Sequence, residues 1–113
     1  MKILDLAAGT GSSSEPLAAA GADVIPADFS EGMLAAGRKA RPHLAFTKAD
    51  ALNLPFADGE FDFVFSRYSA HHWSDLGLAL REVRRVLKPG GVAAFIDVLS
   101  PGSPVFDTYL QSV

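Results

Sequence analysis

The chain has 113 residues, 49% hydrophobic and 20% charged, which suits one globular domain and excludes a disordered or collagen-like segment. Ten Lys and Arg against thirteen Asp and Glu leave a formal net charge of −3 with no run of like charges, which disfavours a nucleic-acid partner because phosphate binding needs a clustered positive face. The lack of cysteine excludes disulfides and thiolate metal sites, and the three histidines lack a metal-binding spacing such as HExxH.

The opening MKILDLAAG has none of the successive charged, apolar and cleavage regions of a secretory leader, and the longest apolar stretches fall far short of the roughly 18 residues of a spanning helix. A soluble, cytoplasmic protein with no membrane partner is expected. Lys2 to Ala8 (KILDLAA) is an apolar run with one acid, closed by Gly9-Thr10-Gly11, the pattern of a buried parallel strand entering a tight turn. Ser12 to Ser14 offer N-caps, Glu15 suits a first helical turn, and Leu17 to Ala20 continue a short helix that Gly21 ends. Asp23 to Phe29 (DVIPADF) reads as a second strand, with Pro26 unable to donate a ladder hydrogen bond.

Ser30 then caps a helix that carries Met33, Leu34 and Ala36 to about Ala40, and Pro42 stops it. Leu44 to Asp50 predicts a third strand. Leu52 to Glu60 is a loop marked by Pro55 and Asp58-Gly59, and Phe61 to Ser69 (FDFVFSRYS) is a fourth strand dense in aromatics and Val. From Ser74 as N-cap, Leu76, Leu80, Val83 and Leu87 recur at helical spacing, with Arg81, Glu82, Arg84 and Arg85 mainly on the other side. Lys88-Pro89-Gly90-Gly91 ends that helix, Val92 to Leu99 makes a fifth strand, and Val105 to Val113 is expected to begin another helix.

Strands alternating with helices or long crossovers imply a parallel, doubly wound α/β sheet, in which ligands sit beyond the carboxyl ends of the strands near the point where strand order reverses. The glycines and acids fall at those ends: Gly9 to Gly11 after the first strand, Asp28 after the second, Asp50 after the third, and Ser66 to His72 after the fourth. The glycine turn lacks the lysine of a GxxxxGK[ST] phosphate loop, and it reads GxGxxS, without the third glycine of dinucleotide sites. Alone it is equally a structural turn. Asp28 is placed to accept two hydrogen bonds from a ribose diol, or to cap the next helix. Asp50 with the N–H of Ala51 can read an adenine edge as acceptor and donor, or be a solvated loop acid. Together the two acids and the turn point to an adenosine ligand.

The segments ILDLAAGTG, GADVIPADFSEGML, KADALNLPFADGEFDFVFS, the HHW after the fourth strand, and ALREVRRVLKPGG resemble, in order and spacing, the class I S-adenosylmethionine-dependent methyltransferases of the type 11, quinone-methyltransferase-like group. The resemblance implies a Rossmann-like sheet with its five strands in the order 3-2-1-4-5, forming one cofactor-binding core domain over residues 1–113. It further implies S-adenosylmethionine as cofactor and a small-molecule methyl acceptor. Asp5, Ala7, Gly9, Thr10 and Gly11 would hold the methionine part, Asp28 the ribose, and Phe29 and Met33 would pack near the adenine. Asp50 and Ala51 would read the adenine edge, and Ser66 would lie by the methionine moiety. Ala7 stands where the family's DxGxGxG motif usually has its first glycine.

Members of this family normally carry helices before the first strand and two further strands after the fifth. The chain opens directly on a strand and only Ser100 to Val113 follow Leu99, so a truncated or recombined core lacking the last two strands is expected. The fifth strand would then be an open edge inviting self-association into a homo-oligomer, and a core that at most binds the cofactor is the alternative to a working enzyme. Methyl transfer needs chiefly alignment of acceptor and cofactor, since the cofactor brings its own leaving group. A base is optional, and His71, His72 and Tyr68 are its candidates. Arg67 either steers an anionic acceptor or pairs with a surface acid. A nicotinamide-dependent oxidoreductase shares Asp28 and the glycine turn, but the missing third glycine and the LPF and KPGG segments favour the methyltransferase.

Overall fold

The computed structural model describes residues 1–68, 75–100 and 103–112. In chain order the elements are β1 (Lys2–Leu6), α1 (Ser14–Ala19), β2 (Asp23–Asp28), α2 (Glu31–Ala40), β3 (Thr47–Lys48), β4 (Phe61–Tyr68), α3 (Leu76–Val86), β5 (Leu87–Ser100) and β6 (Ser103–Ser112). They build one sheet in the order β3-β2-β1-β4-β5-β6. The first five strands are mutually parallel, in the doubly wound order 3-2-1-4-5 expected from the sequence. Among the described residues no helix is long and apolar enough to cross a membrane.

Three expectations need correction. Ser103–Ser112 is a strand, not the start of a helix, and it runs antiparallel to β5 from Val92↔Ser112 to Ser100↔Ser103, so the expected open edge of the fifth strand is covered. The third strand shrinks to Thr47–Lys48, because Leu44 N–H bonds back to Arg41 O and Phe46 N–H to Leu44 O while the Phe46 ring turns into the interior. Ser74 lies outside the described residues, and the cap of α3 is Asp75, whose side chain accepts from Leu78 N–H at 3.0 Å. Ser13 occupies the N-cap of α1 without a side-chain cap bond, and the neighbouring Ser14 hydroxyl is committed elsewhere. Ser30 caps α2 as its position predicts, accepting from Met33 N–H at 3.2 Å.

Pro26 fits inside β2 because of which way its missing donor would point. Ala27 O accepts from Ala8 N–H on the β1 side and Asp28 O accepts from Ala49 N–H on the opposite side. Successive residues alternate in direction, so the nitrogen of Pro26 faces the β3 side. Pairing with β3 starts only at Ala27, so no ladder bond is lost.

Strand alternation sorts the core onto two faces. Leu4, Leu6, Phe61, Val64, Ala93 and Phe95 join Ala79, Val83 and Val86 of α3, while Ile3, Val24, Phe65 and Ala94 meet Leu17 of α1. A third cluster of Leu34, Leu44 and Phe46 packs against Ala18 and joins α2 to α1. The Phe46 ring occupies the space where side chains on Gly11 and Gly37 would stand: a Cβ there would lie 2.8 Å and 2.4 Å from it.

Candidate cofactor site

The chain leaves β1 through a turn with three left-handed residues, Ala7 (φ 62°), Gly9 (φ 61°) and Gly11 (φ 84°). Glycine adopts such angles freely, whereas Ala7 does so at a cost. Ala8 N–H donates to Ala27 O at 2.9 Å and Gly11 N–H to Ala8 O at 3.1 Å, which closes the turn over the tip of β2. Arg41 braces it further, donating from Nη1 to Thr10 O at 3.1 Å and from Nε to Glu15.

Asp28 ends β2 and ties two walls together. Its Oδ2 accepts from Gly9 N–H at 2.8 Å and its Oδ1 from Ser30 N–H at 2.9 Å, so one carboxylate orients both the glycine turn and the entry to α2. Each oxygen still has a lone pair for a ligand. Asp50 follows β3 in an Asx turn, with Oδ1 accepting from Leu52 N–H at 2.9 Å. Among the described residues, Asp50 Oδ2 and the Ala51 N–H have no protein hydrogen-bond partner.

These tips surround a cavity of about 630 Å³, lined by Leu6, Ala7, Gly9, Asp28, Phe29, Ser30, Met33, Ala49, Asp50, Ala51, Leu52 and Arg67. That volume is within the range of small-molecule sites. Phe29 and Met33 are 65% and 47% exposed, large apolar surfaces lining the cleft. Lys48 stands 5.5 Å from the Phe29 ring centre and pairs with Glu31 at 2.8 Å, holding a cation at the rim.

Of the residues singled out from the sequence, the cavity brings together Ala7, Gly9, Asp28, Phe29, Met33, Asp50 and Ala51. Asp5, Thr10, Gly11 and Ser66 do not line it. Asp5 is buried within β1 and its Oδ2 accepts from the Ser14 hydroxyl at 2.6 Å. Burial raises its pKa to about 6, with the Ser14 bond and the Arg67 charge opposing and Asp28 adding to the rise. Ser66 is fully buried, its hydroxyl donating to Leu6 O at 2.6 Å across the β1–β4 boundary. Tyr68 ends β4, paired with Asp97, and His71 and His72 lie outside the described residues.

Arg67 pairs with no acid among the described residues. It is exposed, lines the cavity and donates from Nη1 to Ser13 Oγ at 3.1 Å. Leu6, Ser30, Ala49 and Leu52 are lining residues the sequence reading missed, and adjacency to the predicted tip residues is the signal that would have found them. Among the described residues no cluster of His, Asp or Glu has the arrangement of a metal site.

A sheet whose five parallel strands reverse order between β1 and β4, with a glycine turn at that reversal and acids on the adjoining tips, defines a Rossmann-like fold. The methyltransferase domain family matches residues 4–95, and the chain belongs to that family. Its relatives include the YafE protein of Escherichia coli strain K12, 50% identical over 95 residues, which cover 80% of this chain and 46% of that protein. The demethylmenaquinone methyltransferase of Paenarthrobacter aurescens is 47% identical over 105 residues, covering 93% of this chain and 42% of the enzyme. The chain thus spans less than half the length of these relatives. Among solved structures, the PH0226 protein of Pyrococcus horikoshii superposes with a TM-score of 0.81 at 36% identity, over 85% of this chain and 48% of that one. An S-adenosylmethionine-dependent methyltransferase of Mesorhizobium loti gives 0.77 at 32% identity, over 85% and 46%.

Proposed function

We propose that the chain is a single core domain over residues 1–113 that binds S-adenosylmethionine in this cavity and supports transfer of its methyl group to a small-molecule acceptor. The observation that carries the reading is the joint placement of Asp28, Asp50 and the exposed Phe29 around one cavity of about 630 Å³. The free lone pairs of Asp28 suit the ribose hydroxyls. Asp50 Oδ2 and the Ala51 N–H, without partners among the described residues, present the acceptor and donor that an adenine edge requires, with Phe29 and Met33 offering apolar cover. The backbone of Ala7 to Gly11 accommodates the amino-acid end, with Asp5 and Ser66 fixing β1 and β4 from beneath.

When bound, the cofactor supplies a methyl group on a sulfonium leaving group. The chain's own contribution is to bind, orient and exclude water. Tyr68, His71 and His72, which follow the cavity-lining Arg67, are the groups proposed to take a proton from the acceptor. Names such as demethylmenaquinone methyltransferase among the relatives favour a quinol-type acceptor. Titration calorimetry with S-adenosylhomocysteine tests the binding reading, and absence of heat at high micromolar ligand would reject it. A methyl-transfer screen over quinols, phenols and amines tests the activity.

A further inference from the structure

Asp50 and Ala51 belong to a short closed turn: Leu52 N–H bonds to Asp50 Oδ1, Asn53 N–H to Asp50 O at 3.0 Å, and Asp50 and Asn53 form an antiparallel bridge. The side chains of Ala51, Leu52 and Leu54 pack into the core, and the backbone of so small a turn moves as a unit whose orientation is set by the hydrogen bonds at its two ends. The upstream end is anchored on β2 through Ala49 N–H to Asp28 O at 3.0 Å. The downstream end is Leu54, and both of its backbone groups are taken by α3. Its N–H donates to Glu82 Oε1 at 2.8 Å and its carbonyl accepts from Arg85 Nη2 at 2.9 Å.

Arg85 does more than meet Leu54. Nη1 donates to Phe56 O and to Asp58 Oδ1, both at 2.8 Å, and its own carbonyl accepts from Gly59 N–H at 2.9 Å. Nε and Nη2 also donate to Glu82 at 2.8 and 3.1 Å, which locks the fork in one orientation. The pair is seated on a helix whose Ala79, Val83 and Val86 are buried in the core. A planar fork reaching two carbonyls and two carboxylates cannot be replaced by an ammonium group.

We infer that Glu82 and Arg85 are positioning residues for adenine recognition: by fixing Leu54 they set where Asp50 Oδ2 and the Ala51 N–H stand in the cavity. The inference rests on the cofactor reading above and assigns to this face of α3 a part in choosing the base. A loosened turn loses its distinction between an edge that offers a donor and then an acceptor and one with these reversed. Adenine and hypoxanthine differ in that way.

The test compares binding of S-adenosylhomocysteine and S-inosylhomocysteine to the wild type, Arg85→Lys and Glu82→Gln, with folding monitored by circular dichroism. The wild type is expected to prefer the adenosyl ligand by about 100-fold, since reversed polarity leaves desolvated groups unpaired. In either variant the preference should shrink to about 10-fold through weaker adenosyl binding, with inosyl affinity within about 2-fold of wild type. General destabilisation would weaken both ligands alike. An unchanged preference in a folded variant overturns the proposal, as does a wild type that binds both ligands equally. Should Arg85→Lys not fold, Glu82→Gln decides alone, since it keeps the size of the side chain while turning one acceptor of Arg85 into a donor. A wild type that binds neither ligand overturns the cofactor reading itself, a result distinct from loss of preference.

Discussion

Replacing Asp5 by Asn should stabilise the protein at neutral pH and remove the component of its stability that declines as pH rises. Asp5 is 2% exposed, and burial raises its carboxyl from 3.8 to about 6 against the opposing pull of the Ser14 hydroxyl and Arg67. Between those two values the unfolded chain has released a proton that the folded chain retains. The contribution of this group to stability is therefore complete below pH 3.8, declines as pH rises through the interval, and is lost above about 6. That interval corresponds to about 3 kcal/mol. Asp5→Asn keeps the shape and an acceptor for Ser14 but cannot ionise. Urea denaturation of both proteins from about pH 4 to about pH 8 gives a difference curve in which other carboxyls cancel. Among those, hydrogen bonds from Arg85 and Lys2 hold Glu82 and Glu60 below their usual range, and they act in the opposite sense, losing stability as pH falls. The variant's advantage should widen by about 3 kcal/mol across the interval. A flat difference curve would refute the burial argument.

Asp28→Ala removes the acceptor of two backbone amides and the proposed ribose anchor. Affinity for S-adenosylhomocysteine should fall by about 1.5 to 3 kcal/mol in calorimetry, and an unchanged Kd would reject the ribose assignment. The same variant should lose about 1 to 3 kcal/mol of stability in chemical denaturation without ligand. Ala7→Gly relieves a left-handed alanine, and the gain, less the added freedom of the unfolded chain, should be about 0.5 to 1 kcal/mol, read as a higher Tm; a lower Tm would contradict the strain. Gly37→Ala should destabilise by about 1 kcal/mol despite alanine's better helix propensity, because its methyl would sit 2.4 Å from the Phe46 ring. Combining it with Phe46→Leu should recover part of that loss, and a more stable single variant would disprove the crowding.

The parallel order and the cleft were readable because their signals are local. An apolar run into a glycine turn, a serine before α2 and acids at the ends of the predicted strands each specify their own neighbourhood, and five strands in order leave few topologies. Asp28 is more than either reading assigned to it: its carboxylate joins the glycine turn to α2, a contact between residues 19 apart that no local pattern displays. The misreadings arose where distant contacts decided the outcome. Phe46 leaves its predicted strand because Gly11 and Gly37 make room for its ring. Ser103–Ser112 becomes a strand by pairing along β5, and its Val, Phe, Thr and Tyr content was a β signal that the expectation of a helix passed over. The clamp of Glu82 and Arg85 was visible only as one face of an amphipathic helix, since their partners lie about 30 residues upstream.

The placement of Phe46 has a consequence for ligand entry. Its ring is wedged between the segment that descends from the glycine turn and the helix whose first turn carries Ser30 and Met33. The separation of the glycine turn from α2, which flank the cleft, is consequently held by an aromatic spacer lodged in the interior. A cofactor bound as proposed would meet walls held apart in advance, and little of its binding energy would be diverted into ordering them.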